Sequence, residues 1–202
     1  MSARRDGTGG ETRTTGAVLA PIAILVPVAV GVGIYLFGTH HTPNYGYGLF
    51  GRHGNAAVDL KAQLGTALLG LALIQLGLAL WMYGLIPGTR SAPQRARLGH
   101  RALGFLTLLF SLPIAYHCLE KYGIETTSPR TTIHSIAGCA LYGAFAAKVM
   151  VVRSRRLPGW LLPAMGALLV LGIALLWYTA ALWTLNADSA PGFSVSSEPL
   201  PP

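Results

Sequence analysis

In 202 residues the chain carries 52% apolar and only 11% charged side chains, with a formal net charge of +8. So little charge excludes a disordered chain and an ordinary soluble domain, and it places the sequence in the membrane class. The basic surplus accompanies no nucleic-acid-binding motif, so no nucleic acid partner is expected and the charge is read as a topology signal.

Residues 1–15 are rich in Gly, Thr and Arg without periodicity and predict a disordered cytoplasmic tail. Span one, Gly16 to Gly38, contains no charged residue and is too long for the apolar region of a secretory signal, so it reads as a retained anchor, kinked by Pro21 and Pro27. The loop from Thr39 to Leu60 holds His40, His41, His53, Asn44, Tyr45 and Tyr47. It reads as a cap over the outer mouth of a bundle, and its three histidines also offer a metal-chaperone or permease reading. Span two, Ala62 to Ile86, repeats Gly70, Gly77 and Gly84 at intervals of seven, a small-residue stripe that predicts close helix packing. Gln75 is its central polar side chain and predicts an interhelical hydrogen bond.

Two basic, Pro-containing links, PGTRSAPQRARL at 87–98 and RSRRLP at 153–158, are short enough to make their flanking spans antiparallel neighbours. Spans three and four, about 99–118 and 132–152, have uncharged centres and titratable rims. Span five, Leu157 to Ala187, carries Trp160 at one end and Trp177, Tyr178 and Trp183 toward the other, an aromatic belt at each interface. Residues 187–202 predict a polar extracytoplasmic tail after a transmembrane domain spanning 16–186. Cys118 and Cys139 stand in no redox or metal spacing and read as free thiols.

With the N-terminus cytoplasmic, eleven of the fifteen Lys and Arg residues fall on the inner side and only Arg52, Lys61, Lys121 and Arg130 on the outer. That asymmetry fits the positive-inside rule. The expected fold is therefore all-α: an integral membrane bundle of five transmembrane helices in the plasma membrane, N-terminus cytoplasmic and C-terminus extracytoplasmic, with the lipid bilayer as its first partner. Arg far outnumbers Lys, which resembles the usage of a high-GC bacterium such as an actinobacterium.

Polar groups are expensive inside such a bundle, so its histidines are functional-site candidates. His100, His117 and His134 recur every seventeen residues. On helical geometry His100 and His117 lie about 25 Å apart and cannot share one metal. Span four runs back, which returns His134 to the level of His117 and Lys148 to the level of His100. One face of it reads His134, Gly138, Leu141, Phe145, Lys148. A histidine with a glycine one turn away offers an axial nitrogen and room for a porphyrin edge, while Arg97, Arg101 and Lys148 offer partners for propionates.

Span three opens with His100 and closes in Tyr116-His117, and after a short loop come Ile133-His134-Ser135, then Ile136 and Gly138. Over about fifty residues this pattern resembles the ascorbate-reducible transmembrane b-type cytochromes, relatives of the ferric-reductase-like group. The resemblance implies heme b, with His134 holding an outer haem, His100 an inner haem, and His117 lining the outer substrate site; His117 is also considered as a haem-iron ligand itself. It also requires a second histidine for each haem, and spans two and five contain none. The substitutes considered are His53, His40 or His41 for the outer haem and Met165 opposite His100 for the inner one. The expected function is a membrane b-type cytochrome passing electrons between a quinol or small reductant and an acceptor at the outer face, with other membrane redox subunits as further partners. The alternative is a cofactor-free structural or assembly subunit.

Overall fold

In the computed structural model the described residues are 11–88, 92–154 and 158–186, with side chains from residue 24 onward. The expected tails fall outside them through residue 10 and from 187 to 202, as do Arg90, Arg155 and Arg156. Every regular element is helical: α1 (Glu11–His40), α2 (Gly54–Met82), α3 (Gln94–Tyr122), α4 (Pro129–Arg153) and α5 (Leu161–Leu185). α1 thus begins five residues ahead of the apolar run. α2 to α5 are each long and apolar enough to cross a bilayer, which makes the chain a membrane protein. The described apolar part of α1, Ile24–His40, is shorter.

Local chemistry sets the helix ends. Gly84 takes φ +68°, a left-handed residue that ends α2 while the Leu85 N–H bonds the Leu80 carbonyl at 2.9 Å. The expected glycine stripe of span two therefore ends in a C-cap. Within it, a Cβ placed on Gly70 or Gly77 would meet nothing within 4 Å, so neither glycine seats a helix of this chain. α4 starts on a capping box: the Ser128 side chain accepts from the Thr131 N–H, the Thr131 hydroxyl accepts from the Ser128 N–H, and Pro129 opens the helix. That start fixes the register of His134 about a turn and a half inside the helix.

The helices form an arc. α4 packs against α1 on one side and α5 on the other, α5 leads to α2, and α2 to α3. The two ends of the arc meet where α1 and α3 finish: the Ile124 N–H bonds the Gly38 carbonyl at 3.2 Å. A Cβ on Gly38 would lie 2.8 Å from Ile124 Cγ1, so only a glycine lets the chains pass this closely. α1 and α4 approach through Gly31 and Gly143, whose added Cβ atoms would lie 3.3 Å from the Cys139 carbonyl oxygen and 2.9 Å from the Pro27 carbonyl oxygen. Leu68, Ala72, Leu141, Ala144, Leu169 and Ile173 form the buried core between α2, α4 and α5. Cys118 and Cys139 are free thiols.

α3 inverts the usual pattern. Its buried residues are Thr107, Ser111, His117 and Lys121, all polar, while Phe105, Leu106, Leu109 and Leu112 are exposed. In a bilayer this is the stable orientation, since lipid accepts the leucines and the bundle supplies partners for hydroxyls.

Because the Gly143 contact is backbone against backbone, Gly143→Val should cost about 1–3 kcal/mol through overpacking. Gly70→Ala, facing open space, should leave stability unchanged or raise it by up to about 1 kcal/mol. Thermal unfolding of both variants in detergent checks the pair: equal melting temperatures would place the α1–α4 seam elsewhere.

Candidate functional site: a cavity on His134

Inside the arc, where α3 and α4 face each other, the bundle frames a cavity of about 650 Å³. Direct contact across it includes the hydrogen bond between Ser111 and the Tyr142 hydroxyl, 3.0 Å. α2 contributes Lys61, Ala62 and Gly65 to the wall, α3 contributes Ala115 and Cys118, α4 contributes His134, Gly138 and Tyr142, and α5 contributes Trp177 and Ala181. Leu68, Leu141, Ile173 and Leu176 belong to both the cavity lining and the core, so the chamber has an apolar floor. Its cations, Lys61 and Arg130, come from the same end as His134. The volume falls in the range of small-molecule and cofactor sites, and the lining has the matching character: largely apolar, with a few convergent polar groups.

His134 is held by an irregular turn in α5. Residues Trp177–Ala181 form a single π-turn, in which the Leu182 N–H reaches back five residues to the Trp177 carbonyl. Such bulges leave backbone groups free for other partners and cluster at functional sites. Within this turn the Thr179 carbonyl accepts a hydrogen bond from Arg130 Nη1. The Thr179 hydroxyl donates to the Leu175 carbonyl at 2.8 Å and lies 2.9 Å from His134 Nδ1. With that hydrogen in the helix bond, Thr179 Oγ1 meets the ring as an acceptor, and this geometry assigns the His134 proton to Nδ1. Nε2 is then the ring's free lone pair at the cavity wall, the tautomer that a metal or a hydrogen-bond donor requires. One turn along α4, a Cβ on Gly138 would meet nothing nearer than Leu176 Cδ2 at 4.0 Å, so the wall is open there. The expected face of span four is realised in this respect: His134, Gly138 and Leu141 line one chamber.

Arg130 also stacks over the Trp183 ring, 5.0 Å from its centroid, and Trp177 Nε1 donates to Thr66 Oγ1 at 3.0 Å, fastening α5 to α2. Ser135 bonds both the N–H and the carbonyl of Glu125 at 3.2 Å, securing the α3–α4 loop beside the histidine.

His117 lies behind this chamber rather than in it. It is wholly buried (0% exposed), with Tyr47 and Tyr122 at ring-centroid distances of 6.0 and 6.5 Å, and neither ring nitrogen has a hydrogen-bond partner among the described residues. Lys61 and Lys121 sit over the same Tyr122 ring, 4.8 and 5.5 Å from its centroid. Tyr47 reaches His117 from the expected cap loop, which is tied down by the Asn44 N–H on the Glu120 carbonyl (2.9 Å) and by His41 on Glu120 (3.4 Å to Oε2). The Tyr47 phenol is held above its ordinary range by burial first and by Tyr116 and Glu120 next.

The other expected site residues are dispersed. His53 Nδ1 bonds the Gly46 carbonyl at 3.0 Å, packed where a Cβ on Gly48 would lie 2.6 Å from its ring, and His40 Nδ1 bonds the Leu36 carbonyl at 2.8 Å. Among the described residues no three His, Cys, Asp or Glu side chains form a metal-binding group, so the loop histidines do not converge. His100 lies at the far end of α3, where Gln75 Nε2 donates to its carbonyl at 2.8 Å and Lys148 is the cation acting on it. Its Nδ1 and Gln75 Oε1 are buried without a partner among the described residues. Arg101 is exposed at that end, and Met165 is half-buried on α5, which α2 separates from α3. The cations at the chamber are therefore Lys61 and Arg130, with Arg101 and Lys148 elsewhere. Sequence reasoning passed over Thr179, Ser111, Tyr142 and Lys61; the hydroxyls were legible only as polar interruptions of apolar spans.

Thr179→Val removes the acceptor that holds the His134 proton on Nδ1, while Thr179→Ser keeps it. Nitrogen NMR of histidine-labelled protein should show His134 as the Nδ1–H tautomer in the wild type and in Thr179→Ser. The Nε2–H form or an exchanging mixture is expected in Thr179→Val, and an unchanged tautomer there would remove Thr179 from this role.

No curated protein and no solved structure matches the chain. A family model, described as a family of unknown function (DUF6529), matches residues 18–192, which covers every described helix but the first turns of α1. The chain belongs to that family.

Proposed function

We propose that this protein is a five-span b-type cytochrome of the plasma membrane, carrying electrons between a quinol or other small reductant and an acceptor at the outer face. The observation that carries the reading is His134 on the wall of a cavity of about 650 Å³, its Nδ1 2.9 Å from Thr179 Oγ1 and Gly138 open beside it. A haem bound there would supply reversible one-electron chemistry at its iron. His134 would give the axial nitrogen, its ring orientation fixed by Thr179, as the outer-shell partner of a ligating histidine does. Lys61 and Arg130 would pair the propionates, and Gly138 and Ala115 would leave room for the ring edge. The Leu68, Leu141 and Ile173 floor would keep water away from the lower face of the chamber, which raises the weight of every charge within it. His117, wholly buried and off the cavity wall, is not placed to contact a reductant there; Lys61 and Arg130 are the cations an anionic reductant would meet.

The fit is to one haem, on His134. At His100 the neighbours are Gln75 and Lys148, and Met165 belongs to a helix on the other side of α2. The alternative, a cofactor-free structural or assembly subunit, draws on the lack of any histidine in the second and fifth spans.

Protein purified from haem-replete cells should show a Soret band and a reduced-minus-oxidised alpha band. His134→Ala should lose them and His40→Ala should keep them; no Soret band in the wild type selects the subunit reading. The topology has its own test. Reporter fusions should place the N-terminus and the 87–98 link in the cytoplasm and the C-terminus outside, and a reporter active outside at residue 92 would reverse the orientation.

A further inference from the structure

We infer that the end of the bundle opposite His134 binds the phosphodiester of an anionic phospholipid, with Lys148 as the cation that meets it. This site is independent of what fills the chamber. Lys148 is half-buried on α4, five residues before the last residue of that helix, and His100 stands six residues into α3. At about 1.5 Å per residue both lie within about 10 Å of their helix ends, the depth of the headgroup layer rather than of the hydrocarbon centre.

Charge at this end has one sign. Among the residues with described side chains the carboxylates are Asp59, Glu120 and Glu125, all toward the His134 end, whereas Arg95, Arg97, Arg101, Lys148 and Arg153 stand at the other. The four arginines are exposed, so water can serve them. Lys148 differs: it is close enough to act on His100, and among the described residues no hydrogen bond or ion pair holds its ammonium. Gln75 spends its Nε2 on the His100 carbonyl at 2.8 Å, which leaves Gln75 Oε1 and His100 Nδ1 buried without a partner among the described residues. α2, α3 and α4 thus bring three underserved polar groups to one corner. Hydrocarbon would serve none of them. A phospholipid headgroup supplies what they lack: phosphate oxygens carry the charge that a half-buried ammonium requires, and a glycerol headgroup offers a hydroxyl to Oε1, while an imidazole Nδ1 can take either role. The surrounding arginines add attraction to an anionic leaflet. Soluble phosphate esters carry the same oxygens and are the competing source.

The experiment titrates the full chain in neutral detergent with phosphatidylglycerol and, separately, with phosphatidylcholine, counting bound lipid by native mass spectrometry. One phosphatidylglycerol should be retained about tenfold more tightly than phosphatidylcholine, and that affinity should fall about tenfold in Lys148→Gln and be kept in Lys148→Arg. Arg153→Gln, which removes an exposed charge, should change it by less than about fivefold. Should Lys148→Gln fail to fold, His100→Ala reads the same corner: weaker phosphatidylglycerol binding is expected, and unchanged binding overturns the inference. Equal retention of the two lipids, or a Lys148→Gln protein that binds as the wild type does, would overturn it as well. Displacement of the lipid by millimolar glycerol phosphate would also overturn it, by assigning the corner to a soluble phosphate ester. The haem reading is tested by the Soret band, so the two fail separately.

Discussion

One threonine in α5 answers for three polar groups that hydrocarbon would leave stranded. The Thr179 hydroxyl gives its proton to its own helix and its lone pair to His134, and its backbone carbonyl, inside the π-turn, takes Arg130. Each of these groups would cost on the order of 1–3 kcal/mol if buried without a partner. The π-turn lies where these contacts are made, with Thr179 at its centre.

The cavity has a different origin. α4 is drawn toward α1 by glycines that let backbone meet backbone, and toward α5 by the core leucines and Ile173. Nothing comparable draws it to α3, where direct contact includes the Ser111–Tyr142 bond. The gap between them stays open above an apolar floor, while the cap loop and the Gly38–Ile124 contact join the ends of the arc at the end of the bundle that carries His134.

The inverted face of α3 ties these features together. Its buried Thr107, Ser111, His117 and Lys121 run along the side turned to the bundle, with leucines turned to lipid. Lys61 is a cation acting on both His117 and His134, so the tyrosine cage and the chamber share a charge. At the other end His100 and Lys148 form a separate pair with Gln75, beyond the apolar core. The histidines recurring every seventeen residues therefore belong to three environments, and only one of them reaches the chamber.

What the sequence by itself determined is what depends on short-range chemistry: the apolar lengths that make α2 to α5 membrane-crossing helices, the Ser-Pro start of α4, and the helical face that puts His134, Gly138 and Leu141 together. The return of Lys148 to the level of His100 follows from the same rise per residue. Tertiary structure alone decided the rest. Whether a histidine is free, capped by a carbonyl or sealed between tyrosines depends on which distant residue arrives beside it, and Thr179 reaches His134 across forty-five positions of chain. The glycines of span two show the same division, since their spacing implies a seam that helix packing placed instead at Gly31 and Gly143. A stripe of small residues permits close approach, but which helix comes to it is settled by the packing of the whole bundle.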